Sequence, residues 1–165
     1  MSGNVYIPDV VAAKVTDIDP AELGVKGILI DLDNTLLPWK DSVVSEEVRQ
    51  WAAKVRAGGV GICIVSNTHN PRRLRKIAAD MGVESIYSAW KPLRGGFKRG
   101  ADILGCKLEE CAAVGDQLMT DIKGGNRAGC LTVLVRPVDK KEFWGTKISR
   151  FFERRIMKKS GIEYK

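Results

Sequence analysis

The chain has 165 residues, of which 44% are hydrophobic and 28% charged, and it carries a formal net charge of +7. This length and composition are typical of one globular domain and exclude a disordered or fibrous chain. No apolar run approaches the roughly 18 residues that cross a bilayer, and the amino terminus lacks the basic and apolar regions of a signal peptide. We therefore expect a cytoplasmic protein whose four cysteines are reduced and mostly packed.

Strand and helix signals alternate along the chain from residue 27 to residue 135. Short apolar runs predict strands, and apolar residues at i, i+3, i+4 and i+7 after a polar cap predict helices. The predicted strands are 27–31, 60–65, 84–88, 112–115 and 131–135. The predicted helices lie between Asp19 and Gly24, between Ser45 and Gly58, between Asn70 and Gly82, and over 95–104 and 120–128.

This alternation predicts an α/β fold, a three-layer, doubly wound parallel sheet with right-handed crossovers, in a single domain over residues 1–165. Ligands of such sheets bind beyond the carboxyl ends of the strands. Only 30 residues (36–65) lie between the segment after the first strand and Ser66, and 24 lie between Ser66 and Lys91. A separate cap domain needs about 50 residues or more. We therefore expect a capless fold with an open site.

Two carboxylates, Asp31 and Asp33, come at the end of the first apolar run. Strand side chains alternate faces, so these two residues would point the same way. At a separation of about 4 Å they would repel by about 4 kcal/mol at an effective dielectric constant of about 20, and a bound cation would remove that cost. The other interpretation is an Asx turn after the strand, because Asp and Asn favour turns.

Further polar residues follow the later strands and would converge on the same edge of the sheet. Ser66 and Asn67 follow the second strand, and Lys91 follows the short third one. Asp116 and Asp121 follow the fourth strand. Carboxylates are ligands for a hard cation such as Mg²⁺, while a lysine, a hydroxyl and loop amides suit an oxyanion. The set therefore indicates a phosphoryl-transfer site.

The four polar segments resemble the four motifs of haloacid dehalogenase-type phosphatases. The matching residues are DLDNT at 31–35, Ser66 after the second strand, Lys91 before Pro92, and GDQLMTD at 115–121. The motifs agree in order, strand context and spacing, over a catalytic core of about residues 27–135. Family membership implies a Rossmann-like fold and hydrolysis of phosphomonoesters.

The resemblance implies a role for each of these residues. Asp31 would be the nucleophile that forms an aspartyl-phosphate, and Asp33 would protonate the leaving oxygen and then activate water. Phosphate would be bound by Ser66, by loop amides near Asn67 and by Lys91. Mg²⁺ would be bound by Asp31, the backbone carbonyl of Asp33, Asp116 and Asp121.

Three residues in or near the motifs, Asn34, Arg94 and His69, are not assigned a role by the resemblance. Asn34 stands where many family members have glycine, although Asn also tolerates turn conformations. Arg94 is either an extra phosphate contact or a solvated residue at a helix start. His69, the single histidine of the chain, lies in the loop after Ser66, where we expect a polar loop residue rather than a catalyst.

The whole chain further resembles the YqeG-type capless members of this family, which are similar to mitochondrial phosphatidylglycerophosphate phosphatase. This resemblance includes a basic tail, because residues 136–165 contain ten basic and four acidic residues. A helix over about 142–160 is predicted to carry one apolar face of Trp144, Ile148, Phe151, Phe152 and Ile156. Such a helix either lies on an anionic membrane or docks on the domain or on a partner chain.

We therefore expect a Mg²⁺-dependent phosphomonoesterase that acts through an aspartyl-phosphate, with phosphatidylglycerophosphate or a related lipid as substrate. One alternative is a soluble phosphatase for sugar phosphates or nucleotides, covered by a neighbouring subunit in a homo-oligomer. Others are an inactive scaffold and a non-enzymatic, receiver-like module, although a receiver would carry adjacent acids after its first strand. No nucleic-acid-binding motif is recognisable, so we do not expect a nucleic-acid partner.

Overall fold

A computed structural model describes residues 3–141 and 144–164. Its centre is a six-stranded parallel sheet in the order β1-β6-β5-β2-β3-β4. The strands are β1 (Val10–Ala12), β2 (Gly27–Ile30), β3 (Gly61–Val65), β4 (Glu84–Ile86), β5 (Cys111–Gly115) and β6 (Leu131–Val135). The five predicted strands are confirmed. The short edge strand β1 was not predicted, because its three residues become a strand only by pairing with β6.

Helices connect the strands, and their ends follow the predicted caps. The helices are α1 (Pro20–Leu23), α2 (Glu46–Ala57), α3 (Pro71–Met81), α4 (Arg94–Ile103), α5 (Lys123–Ala128) and α6 (Trp144–Ser160). The side chains of Asp19, Ser45 and Asn70 cap α1, α2 and α3 as expected. The predicted helix 120–128 differs, because it opens with a π-helical turn over Leu118–Ile122 before α5. Such turns are frequent at functional sites.

The sheet separates two apolar layers, as the predicted three-layer fold requires. Ile28 and Ile30 of β2 pack in the layer that α2 and α3 cover. Leu29, between them, packs in the opposite layer, with α4 and α5. This alternation buries both faces of β2 and explains its continuous apolar sequence.

The carboxyl-terminal helix α6 docks on the sheet through one side and exposes another. Ile156 and Met157 pack against a small core cluster that contains Leu134 of β6. On the outer side Ile148, Phe151 and Phe152 are 57%, 49% and 51% exposed. Ile156 therefore does not share the exposed face of these three residues, in contrast to the predicted single apolar face. Residues 142 and 143 and the side chain of Trp144 lie outside the described residues.

Within the described chain, no helix has the length and apolar character needed to cross a membrane. The four cysteines are free thiols, and three of them are buried, as expected.

The side chain of Phe97 on α4 anchors its layer, because it is 2% exposed and packs against Gly124 of α5. We predict that Phe97→Ala lowers the free energy of unfolding by about 3–5 kcal/mol through loss of burial and creation of a cavity. Urea denaturation measures this change. Leu93→Ala is the matched control, since Leu93 is 63% exposed, and it should change stability by less than about 0.5 kcal/mol. Equal effects of the two substitutions would contradict the assignment of Phe97 to the core.

Candidate active site

Asp31 extends the central strand β2 and presents its carboxylate at the carboxyl edge of the sheet. Its backbone N–H still donates to the carbonyl of Val114 on β5, at 2.9 Å. The chain then turns sharply, because Asn34 adopts a positive φ of 60° and donates its N–H to Leu37. Asn tolerates this left-handed conformation, so the substitution for glycine is compatible with the turn. Asp31 is thus held by the sheet, whereas Asp33 belongs to the turn.

Three carboxylates meet at this edge. Oxygens of Asp31, Asp116 and Asp121 lie within 4.8 Å of one another. Asp116 directly follows β5, and Asp121 comes from the π-helical turn. Gly115 makes room for this approach, because a Cβ there would stand 2.1 Å from an oxygen of Asp121. Hard carboxylate oxygens in such a cluster fit a divalent cation such as Mg²⁺. The carboxylate of Asp33 is not a member of this cluster.

Lys91 supplies a positive charge inside the carboxylate cluster. Its buried Nζ donates to Asp31 at 2.8 Å and to Asp121 at 2.6 Å. Burial by itself would lower the pKa of Lys91, but the carboxylates of Asp121 and Asp31 raise it above its ordinary value. Asn67 holds the backbone of this lysine from both sides, because its side-chain oxygen accepts from the Lys91 N–H and its amide donates to the Lys91 carbonyl. The side chain of Asn67 therefore fixes the Lys91 loop.

Burial raises the pKa of the two carboxyl groups that follow β5. For Asp121 the pKa rises to about 6, because burial and the nearby Asp31 outweigh the opposing effect of Lys91. Burial likewise raises the pKa of Asp116, against the effect of Arg150. Arg150 of α6 donates to both the carboxylate and the backbone carbonyl of Asp116, and Thr35 donates to the other carboxylate oxygen at 3.1 Å. The carboxyl-terminal helix is thus tied directly to the site.

The carboxylate of Asp33 lies outside the cluster and pairs with Arg73 on the first turn of α3. The Arg73 Nη2 donates to Asp33 Oδ1 at 2.8 Å. Burial raises the pKa of Asp33, Arg73 lowers it, and the charge of Asp31 raises it again, so the pKa stays above its ordinary value. A carboxyl group with a raised pKa is suited to donating a proton.

A cavity of about 560 Å³ opens above these residues. Asp31, Asp33, Ser66 and Lys91 line it, and α6 contributes another part of its wall. The α6 residues that line it are Gly145, Thr146 and Ser149. The structure thus brings the predicted site residues to one edge of the sheet, and it adds a wall that was not predicted.

The structure shows the surroundings of Arg94 and His69, whose roles the sequence did not decide. Arg94 is exposed at the start of α4 and is not among the residues that line the cavity. His69 lies at the cavity, where its Nδ1 is 3.0 Å from the hydroxyl of Ser88 and its ring contacts Trp90 edge-on. These contacts agree with a polar loop residue at the rim.

Sequence reasoning did not assign a site contact to Thr35, Arg73 or Arg150. The sequence positions of Thr35 and Arg73 could have indicated a place at the site. Thr35 follows the two aspartates of the first motif, and Arg73 lies on a helix that begins at the carboxyl edge of the sheet. The position of Arg150 could not, since only the docking of α6 brings it to Asp116.

The site can be compared with known proteins. A family model described as HAD-hydrolase-like matches residues 88–139. The probable phosphatase YqeG of Bacillus subtilis is 37% identical over 155 residues, which cover 92% of this chain and 90% of that protein. Phosphatidylglycerophosphate phosphatase 1 of Arabidopsis thaliana is 30% identical over 127 residues, which cover 72% of this chain and 36% of that protein.

A solved structure shares the fold. The cobalt-bound deoxy-D-mannose-octulosonate 8-phosphate phosphatase YrbI of Haemophilus influenzae aligns with a TM-score of 0.53 at 17% identity, over 84% of this chain and 90% of that chain. The similarity to YqeG extends over nearly the whole length of both proteins. The chain therefore belongs to the haloacid dehalogenase-like family of hydrolases, as its four motifs predicted, and is a phosphatase of the YqeG type, as the resemblance of the whole chain predicted.

Proposed function

We propose that the protein is a Mg²⁺-dependent phosphomonoesterase that acts through an aspartyl-phosphate. The observation that carries this proposal is the pair of unequal carboxylates at the cavity. Asp31 is buried and accepts a hydrogen bond from Lys91, while Asp33 stands apart with a raised pKa. A carboxylate that the sheet holds in place beside Lys91 suits a nucleophile, and a carboxyl group with a raised pKa suits a group that gives and takes a proton.

The reaction has two steps. A carboxylate oxygen of Asp31 attacks phosphorus, the bond from phosphorus to the leaving oxygen breaks, and Asp33 gives its proton to that oxygen. Asp33 then takes a proton from water, whose oxygen attacks phosphorus and releases inorganic phosphate and the Asp31 carboxylate. The ammonium group of Lys91 and the hydroxyl of Ser66 hold the phosphate oxygens during both steps.

The proposed Mg²⁺ ligands are Asp31, the backbone carbonyl of Asp33, Asp116 and Asp121. The ion supplies positive charge that offsets the charge of the transferring phosphoryl group. Its site would lie among carboxylates that Lys91 and Arg150 already neutralise in part.

We further propose that the substrate is an anionic phospholipid monoester of the phosphatidylglycerophosphate kind, taken from a membrane surface. The Arabidopsis relative bears that substrate in its name. The helix that walls the cavity also carries the exposed residues Ile148, Phe151 and Phe152. Exposed Lys147, Arg154, Arg155, Lys158 and Lys159 flank them. An apolar strip between basic residues complements an anionic bilayer surface.

Asp31→Asn tests the proposed nucleophile. We expect phosphate release with Mg²⁺ to fall by at least about 1000-fold, because an amide cannot form the aspartyl-phosphate, while circular dichroism stays unchanged. Asp80→Asn on α3 is the control, since Asp80 is exposed. Full activity of Asp31→Asn would refute the mechanism. The assay should compare lipid with soluble phosphomonoesters, and a preference for sugar phosphates or nucleotides would contradict the lipid substrate.

Lys91→Met tests the metal site with a readout other than activity. The variant leaves the buried carboxylates of Asp31 and Asp121 without the ammonium group that pairs with them, so we expect the free energy of unfolding without metal to fall by about 3–5 kcal/mol. Added Mg²⁺ should stabilise the variant more than the native protein, because it replaces the lost charge. Denaturation with and without Mg²⁺ measures both effects. Lys98→Met, at an exposed lysine of α4, is the control. Absence of stabilisation by Mg²⁺ in all three proteins would contradict the metal assignment, and equal stabilisation of all three would contradict the replacement of the lysine charge by the ion.

The double substitution Phe151→Ser/Phe152→Ser tests the lipid surface. Each Phe side chain that becomes buried in the bilayer contributes about 1.5–3 kcal/mol to the free energy of binding. We therefore expect affinity for vesicles of phosphatidylglycerol and phosphatidylcholine to fall at least about tenfold. Sedimentation with vesicles measures the bound fraction, and hydrolysis of p-nitrophenyl phosphate should stay unchanged. Leu93→Ser removes an exposed apolar residue elsewhere and is the control. Unchanged vesicle binding would refute the proposal, as would a native dimer that the double substitution dissociates.

A further inference from the structure

We propose that Arg73 is a positioning residue that holds the carboxylate of Asp33 in the orientation needed for proton transfer. This inference rests on the proposed function, because it assigns a partner to the proposed general acid and base. Within residues 3–141 and 144–164, Arg73 is the one hydrogen-bond donor to that carboxylate. Asp33 has no place in the carboxylate cluster, so neither Lys91 nor the sheet fixes its side chain.

Asp33 needs such support because of its place in the chain. It lies beyond the last residue of β2, in the turn that Asn34 makes with its positive φ. Its side chain remains 29% exposed at the cavity. A carboxylate on a turn can rotate among several rotamers, and each misdirected rotamer moves the proton away from the leaving oxygen.

Arg73 is itself held firmly. Its Nε donates to the backbone carbonyl of Asp41 at 2.8 Å while Nη2 donates to Asp33. Its backbone N–H donates to the Asn70 side chain that caps α3, and its side chain is only 13% exposed. The helix is anchored by the buried residues Leu74 and Ile77. The guanidinium group therefore bridges the Asp33 carboxylate and the loop at Asp41, and the packing of α3 holds it in place.

This bridge depends on the shape of a guanidinium group as well as on its charge. Arginine presents its donors in a rigid planar fork, so it can serve two acceptors at fixed directions. Lysine carries the same charge as a single flexible point. A lysine at position 73 would keep an attraction to Asp33 but would not hold Asp33 and the Asp41 carbonyl together.

The role of Arg73 predicts a selective kinetic defect. Proton donation matters most when the leaving oxygen is basic, as in an alkyl phosphomonoester. It matters least for p-nitrophenyl phosphate, whose leaving group departs as a stable anion. Loss of the correct Asp33 orientation should therefore steepen the dependence of kcat/KM on the leaving group. If Arg73 had a purely structural role, its loss would lower kcat/KM by the same factor for all substrates.

The experiment measures kcat/KM of the full chain with Mg²⁺ for p-nitrophenyl phosphate, phenyl phosphate and glycerol 3-phosphate. We expect Arg73→Met to lower kcat/KM by about 10–100-fold for glycerol 3-phosphate but by less than about 3-fold for p-nitrophenyl phosphate. Arg73→Lys should show the same dependence on the leaving group with a smaller loss, and its kcat/KM for glycerol 3-phosphate should fall by about 3–10-fold. Arg72→Met, at the exposed neighbouring arginine, should match the native enzyme.

Asp33→Asn separates failure of the inference from failure of the proposed function. If Asp33→Asn shows the steep leaving-group dependence and the Arg73 variants do not, the inference is wrong and the proposed mechanism stands. A parallel loss for all substrates in Arg73→Met, or native kinetics of Arg73→Lys, would overturn the inference as well. If Asp33→Asn itself shows a shallow dependence, the proposed role of Asp33 fails, and the inference fails with it.

Discussion

The contact between Lys91 and two buried aspartates is the interaction on which the site depends. Three carboxylates converge at the end of the sheet, and the ammonium group of Lys91 lies against Asp31 and Asp121. Buried like charges without a partner would cost several kcal/mol, so the position of this lysine must be secured. The side chain of Asn67 secures it through two hydrogen bonds to its backbone. The polar loops after β3 and β4 are therefore one unit with the carboxylates that follow β2 and β5.

The carboxyl-terminal helix joins the carboxyl edge of the sheet to an outer surface. On its inner side Arg150 contacts Asp116, and Glu153 is buried and accepts from Arg150 and from the backbone of Met119. On its outer side Phe151 and Phe152 remain about half exposed. One helix thus completes the cavity wall and presents an apolar, basic surface beside it. This arrangement gives a physical basis for proposing that a substrate in a lipid surface reaches the site without a cap domain.

Much of the fold could be predicted because its signals are local. The apolar stripe of α2, with Trp51 at its centre, is buried as its period indicates, and Asn70 caps α3. The strand β1 gave no such signal, because it becomes a strand only by pairing with β6. The π-helical turn before α5 was also beyond prediction. Its wider winding accompanies the approach of Asp121 to Gly115, a contact that depends on the sheet.

The sequence by itself determined which polar residues meet, because the alternation of strands and helices brings Asp31, Ser66, Lys91 and Asp116 to one edge of a parallel sheet. Only the tertiary structure decided which charged partner each of the carboxylates takes. It turned Asp33 out of the cluster towards Arg73, and it directed Arg150 of α6 to Asp116. The reason is physical: topology follows from local periodicity, whereas the partner of each buried charge depends on packing between segments far apart in the chain.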